Sequence, residues 1–370
     1  MNLSSSERYI PPLRRLSFED PRSLIEANRH LKIARVLSLD GGGIRGIIPA
    51  TIIKKIEEGT GKRIKEHFHM MAGTSTGAII ACGAEKFTGE EMCNIYKTEG
   101  PTIFQSKFWK TRTRYKSSPR IKVFEKYFGT MTLRDLSYDC LIPFYDITTR
   151  HSRFFKSHRS KILDMENYPI YDVLSCTTAA PTFFKPYEFM YKGNHPNIQY
   201  FSDANIPVIE TEHKKIKAID GGVFANDPSL FALTEMFEVY PNADTYCILS
   251  IGTGSHVSPM NPINIIDWAR CFPEISMYTD CTTTRHVIKE LSRHFRKSVH
   301  YLRLQLDLPK ELIEMDEVKN VLPLEKIVNE NEVIARKIEQ VIGYLQLPLT
   351  PKEDIINRSS YIENIRFVEF

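Results

Sequence analysis

Two glycine-rich turns constrain this chain more than any other feature: Asp40-Gly41-Gly42-Gly43-Ile44-Arg45-Gly46 and Gly73-Thr74-Ser75-Thr76-Gly77. Each is entered from a short apolar run and left into a helical pattern. Ile33–Leu39 is short, apolar and partly β-branched, and it stops at glycine, which predicts a buried strand. Beyond the first turn, Pro49 suits an opening helical turn, and Ile52, Ile53 and Ile56 supply one apolar stripe. A second strand is predicted over Phe68–Ala72, followed by the helix TGAIIACGAEK, with further strands at Cys140–Ile147 and Tyr246–Ile251. Strand, glycine turn and helix in alternation predict an α/β layered fold with a central, mostly parallel sheet flanked by helices.

The 370 residues divide on this reading into a polar N-terminal extension (1–30), one large domain (31–308) and a C-terminal helical extension (309–370). In the last part Ile327, Ile334, Ile338, Val341, Ile342 and Leu345 recur at helical spacing, predicting one amphipathic helix over 325–346. A chain 42% apolar and 25% charged can bury a core, which excludes general disorder. With 49 basic and 45 acidic residues, the net +4 is too balanced to announce a nucleic-acid binder, so no such polymer is expected as partner, although a local basic face stays open. No apolar run approaches the roughly 20 residues that span a bilayer. The N-terminus lacks the apolar core of a secretory signal, and the seven scattered cysteines include no CxxC. The expectation is a soluble, cytoplasmic protein with reduced thiols.

Gly41, Gly43 and Gly46 satisfy GxGxxG, so a dinucleotide site has to be weighed. That site also wants an acidic residue about 20 positions on, at the end of the second strand. Thr60, Gly61 and Lys62 stand near that distance, and the second strand ends at Met71-Ala72-Gly73 without a carboxylate. The same amides, next to the positive end of a helix, suit the oxyanion of an acyl transfer instead. A tight turn with no ligand is the plain alternative.

GTSTG at 73–77 is a GxSxG pentapeptide between strand and helix, the context a nucleophile elbow requires. Gly73 and Gly77 would remove side chains that collide with the neighbouring strand and helix, and Ser75 would sit in the strained turn. A serine hydroxyl needs a base. Asp220-Gly221-Gly222, after the apolar-rich Ile216–Ile219, offers an accessible carboxylate at a strand end. A Ser–Asp–His order with His256, His286, His294 or His300 is the rival, but none of these histidines has a distinctive strand-end context. A Ser75–Asp220 dyad is favoured.

With these residues in hand, the chain resembles the patatin-like phospholipases. DGGGIRG at 40–46 is similar to their oxyanion loop, GTSTG to their elbow and DGG at 220–222 to the site of their catalytic aspartate. Thr178–Phe183 is similar to a TSAAPT-type segment, Asn226 and Pro228 continue a DGGxxxNxP stretch, and Ser250–Gly254 and YLRLQ at 301–305 echo later motifs. The resemblance covers about residues 33–308. It implies a lipid acyl hydrolase of phospholipase A type, with Ser75 as nucleophile and Asp220 as base. The amides of Gly41, Gly42 and Gly43, assisted by Arg45, would hold the oxyanion, with no metal or organic cofactor. Two positions depart from the family's pattern: Phe68-His69 stands where it often has Phe-Asp, and Ala78 where many members carry glycine. His67 and His69 find no third metal ligand. A catalytically silent lipid-binding or storage protein of the same fold is the alternative. The family also includes regulated toxins and defence effectors, which implies an activating ligand or protein and, for a toxin, secretion.

The substrate class implies contact with a membrane. Between Lys107 and Lys126 lie eight basic residues, Arg112, Arg114, Lys116 and Arg120 among them, with Phe108, Trp109, Tyr115 and Phe124 interleaved. Such a stretch suits anionic headgroups and the lipid–water interface, with single-stranded nucleic acid as the formal alternative and a solvated loop face as the plain one. Trp109, Arg112, Arg114 and Lys116 are the expected peripheral membrane contact, and Arg285–Arg303 is a second basic stretch with helical character.

Overall fold

The computed structural model describes residues 31–104, 113–190, 215–257, 262–294 and 297–346. Along the chain, β1 (Ile33–Leu39) is followed by α1 (Ile47–Thr60), β2 (Met70–Gly73), α2 (Thr76–Gly83), α3 (Gly89–Ile103) and α4 (Ser117–Phe128). Then come β3 (Asp139–Asp146), β4 (His151–Lys156), α5 (Ile170–Thr177), β5 (Tyr187–Met190), β6 (Lys215–Asp220) and α6 (Ser229–Val239). The described part closes with β7 (Thr245–Ile251), α7 (Ile265–His294), β8 (Ser298–Leu304), α8 (Val321–Glu330) and α9 (Glu332–Gln346).

The strands form one sheet in the order β5-β6-β3-β2-β1-β7-β8, with β4 also paired to β3. From β3 to β8 the pairing is parallel, and β4, β5 and β6 join antiparallel. Helices cover both faces, which is why β1 reads as a near-continuous apolar run: every residue of it is buried. Its alternate residues serve different layers. Leu37 and Leu39 pack with α1, α2, α3, α4 and α5, while Ala34 and Val36 pack with α6 and α7. The predicted layered, mostly parallel α/β fold is therefore the one observed.

Register positions the chemistry. Leu39 is level with Gly73 on one side and with Ile251 on the other, so three glycine-containing turns leave the sheet at one edge. Here successive strands β1 and β2 part from β7, the crevice where open α/β sheets bind ligands.

Two expectations need correction. The single helix over 325–346 is two, α8 and α9, broken at Asn331. The Asn331 backbone turns extended, and its side-chain oxygen accepts the Ile334 amide at 2.9 Å, so the residue caps the second helix. Arg285–Arg303 is helical only to His294; Val299 and Tyr301 then alternate inward along β8. The apolar stripe of α8 and α9 joins the same core as α1. Residues 1–30 and 347–370 lie outside the described residues. Among the described residues, no helix is long and apolar enough to cross a membrane.

Candidate active site

The second glycine turn is a sharp strand-to-helix corner. Between β2 and α2 the chain reverses at Ser75, whose φ of 53° and ψ of −117° lie where residues with a side chain rarely go. Such backbone costs on the order of 1–3 kcal/mol and persists only where neighbours enforce it. Here they do. A side chain at Gly73 would run into the Gly77 carbonyl, and one at Gly77 into the Leu39 carbonyl. Thr74 is held at both ends, its amide by Leu39 O at 3.1 Å and its hydroxyl by Ala225 O at 2.6 Å. The Ser75 amide donates to Thr177 Oγ1 at 3.1 Å, and Thr177 in turn donates to Pro143 O at 2.7 Å.

Asp220 ends β6. In the parallel β2–β3 register Met70 faces Asp139 and Ala72 faces Leu141, so the turn after β2 leaves beside the C-terminal half of β3. Within that half, Phe144 is opposite Asp220 across the antiparallel β3–β6 pair. The sheet thus brings together two residues 145 apart in sequence, and Ser75 Oγ donates to Asp220 Oδ2 at 2.6 Å. The other carboxylate oxygen accepts the Gly222 amide at 2.8 Å, and the Asp220 amide donates to Ala179 O at 3.1 Å. Burial pushes the Asp220 carboxyl up to about 6, against the pull of the Ser75 and Gly222 hydrogen bonds and the Arg120 charge. A carboxylate so poised can accept a hydroxyl proton near neutral pH.

The first glycine turn faces this pair in part. Gly42 and Gly43 line the cavity that contains Ser75, and among the described residues no protein acceptor takes their amides. The expectation for Gly41 and Arg45 is corrected. The Gly41 amide is committed to Asn226 O at 3.1 Å, Arg45 is buried, and neither lines the cavity. The loop is anchored from below by Arg303 of β8. Its guanidinium donates to Asp40 Oδ1 at 2.7 Å and Ser250 Oγ at 2.6 Å, and lies 3.3 Å from Asp227 Oδ2. Although burial opposes charge, the two carboxylates hold Arg303 well above its ordinary range. Asp40, Asp227 and Cys281 converge closely enough to suggest metal ligands, but Arg303 already supplies the positive charge there.

From Ser75 a cavity of about 330 Å3 opens between α2, α3 and α4. Its walls are apolar, Ile79, Ile80, Met92, Ile95, Phe124 and Phe128 among them. Sequence reasoning misses Arg120 by grouping it with the basic surface. Arg120 is 1% exposed, lines the cavity, and donates to the carbonyls of Thr178 and Ser175 at the end of α5. It shares a helix face with Val123, Phe124 and Phe128, the signal that marks it as inward. Tyr115 and Phe124 are buried too, so the basic-aromatic stretch is not one surface. Arg114 and Lys116 are exposed, Arg114 beside Asp316 at 2.7 Å, whereas Trp109 and Arg112 lie outside the described residues.

No histidine among the described residues lines the cavity. His256 Nδ1 meets Leu308 O at 2.9 Å, His286 and His294 belong to α7, and His300 belongs to β8. His67 and His69 serve local structure, at Thr60 Oγ1 (3.1 Å) and the Arg35 amide (3.0 Å).

Known proteins are similar to the chain in sequence. Patatin-like protein 1 of Oryza sativa subsp. indica is 30% identical over 255 residues, 60% of this chain and 58% of that one. Patatin-like protein 2 of Arabidopsis thaliana is 27% identical over 278 residues, 65% of each. Probable inactive patatin-3-Kuras 1 of Solanum tuberosum is 28% identical over 253 residues, 61% of this chain and 63% of that one. The chain thus spans about three fifths of the length of these relatives. Among solved structures, VipD from Legionella pneumophila aligns over 90% of this chain and 79% of that one at 12% identity, with a TM-score of 0.33, too loose a likeness to support a conclusion. The family model for patatin-like phospholipase matches residues 37–233, a stretch that runs from β1 through both glycine turns and Asp220 into α6, and by that match the chain belongs to the patatin-like phospholipase family.

Proposed function

We propose that the chain is a lipid acyl hydrolase of phospholipase A type, cleaving fatty-acyl esters of membrane glycerophospholipids through an acyl-enzyme on Ser75. The observation that carries this reading is the 2.6 Å hydrogen bond from Ser75 Oγ to Asp220 Oδ2 at the head of an apolar cavity. Ser75 Oγ attacks the ester carbonyl carbon while its proton passes to Asp220. The carbonyl oxygen takes the displaced electron pair, and the amides of Gly42 and Gly43, with the N-terminal end of α2, stabilise the resulting oxyanion. Collapse expels the lysolipid alkoxide, which takes the proton from Asp220. Water then gives a proton to Asp220, attacks the acyl-enzyme and releases the fatty acid, and the proton returns to Ser75. In this reading Arg114 and Lys116 meet anionic headgroups at the membrane surface.

A catalytically silent lipid-binding protein is the second reading, favoured by one relative that is itself named as probably inactive. An alkyl fluorophosphonate decides between them. It is expected to label the wild type on Ser75, read by peptide mass mapping, and to leave Ser75→Ala unlabelled. Absence of a Ser75 adduct together with absence of phospholipid turnover would establish the silent reading.

The base must be ionised to act. Because burial holds Asp220 up at about 6, kcat/KM on a non-ionising ester is expected to fall about tenfold per pH unit below that value and to level off above it. Initial rates across that range check this. A flat profile through pH 6 would remove Asp220 as the base.

A further inference from the structure

We propose that Gly83 sets the depth of the acyl-chain site, and so the chain length the enzyme prefers; this rests on the reading of Ser75 as the nucleophile. Thr76, Ile79, Ile80 and Gly83 follow one another up a single face of α2, and all four line the cavity. From Ser75 to Gly83 the helix rises about 12 Å, the length of an acyl chain of about ten carbons. The facing walls come from α3, with Met92, Ile95 and Tyr96, and from α4, with Val123, Phe124 and Phe128. At the end remote from Ser75, the Phe87 ring stands edge-on to Tyr127 at 5.8 Å and to Phe128 at 6.2 Å.

Backbone conformation does not call for glycine at position 83. The residue is absent from the glycines with positive φ, and the helix is closed by Ala84 in right-handed geometry. Space accounts for it instead. A methyl group at Gly83 would rest at 3.5 Å from Met92 Sδ and 3.7 Å from Phe87 Cδ2, ordinary contact distances. A methyl therefore fits, and any longer side chain must enter the cavity. The one lining position on α2 without a side chain is thus at the far end, where the terminal methylenes of a long acyl chain would lie.

The test compares the wild type with Gly83→Leu and Phe87→Ala on p-nitrophenyl butyrate, octanoate, dodecanoate and palmitate. In Gly83→Leu the palmitate-to-butyrate ratio of kcat/KM is expected to fall about tenfold or more, and in Phe87→Ala it is expected to rise. Displacement of a fluorescent long-chain fatty acid by palmitate and by octanoate reads the same site without turnover. There, Gly83→Leu is expected to weaken palmitate more than octanoate. Gly83→Ala, which the space admits, guards against a misfolded leucine variant, and thermal melts report on folding in each. A ratio and a binding selectivity unchanged in folded Gly83→Leu, or an equal loss at every chain length, would overturn the proposal. If turnover instead survives Ser75→Ala, it is the nucleophile that has been misassigned, and the displacement assay still decides the depth of the site.

Discussion

Ser75→Ala is expected to lower kcat for acyl-ester hydrolysis by about 10^4-fold or more while KM changes little. The hydroxyl is the group to which the acyl carbon would bond, and alanine leaves only the oxyanion amides and the cavity to act on substrate. Asp220→Asn preserves the shape at the end of β6 but cannot take the proton, so a loss of similar order is expected. The two changes act on one proton transfer, across a single 2.6 Å contact. The double variant should therefore be about as impaired as the worse single one, because residues that work as a unit do not add. Steady-state rates on a chromogenic ester check this, with near-unchanged thermal melts showing that the fold survives. A double variant far slower than either single one would mean that Ser75 and Asp220 act independently.

Arg303→Met is expected to cost about 3–5 kcal/mol of stability, the range for removing one partner from a buried ion pair. Methionine fills much of the arginine's volume, so the loss is electrostatic in origin. Asp40 and Asp227 are left buried and adjacent without their counter-charge. Burial already holds the Asp40 carboxyl up at about 7 against the pull of Arg303, and without the guanidinium it rises further above its unfolded value. The folded pKa is thus raised, so the variant's deficit relative to wild type should be smallest in acid and grow as pH rises through that value. Urea titrations at several pH values read both effects. Adding Asp40→Asn and Asp227→Asn to Arg303→Met should restore part of the stability.

Much of the site is legible in sequence because its key positions announce themselves locally. Ser75 stands between two glycines at a strand end, and Asp220 stands before two more. What the sequence does not reveal is direction. Arg120 reads as surface charge because composition carries no orientation, although its phase with Val123, Phe124 and Phe128 on α4 places it inward. The same holds for Arg303, which follows Val299 and Tyr301 on alternate positions of β8 and reaches the loop at Asp40 only through the sheet. Gly41 and Arg45 share the motif of Gly42 and Gly43, and only the Asn226 carbonyl and burial separate them. The break at Asn331 is hidden because the apolar period continues across it; a side-chain cap, not a change of pattern, divides the helices.

Arg303 also bears on the time at which the protein becomes competent. A chain synthesised only as far as Ile251 already contains the serine, the aspartate and both glycine turns. It does not yet contain β8, so Asp40 and Asp227 face each other without a cation beneath the loop. The last strand of the sheet therefore has to leave the ribosome and dock before that loop is held. A polypeptide interrupted short of it carries both residues of the proposed dyad and lacks the clamp that holds the glycine loop beside them.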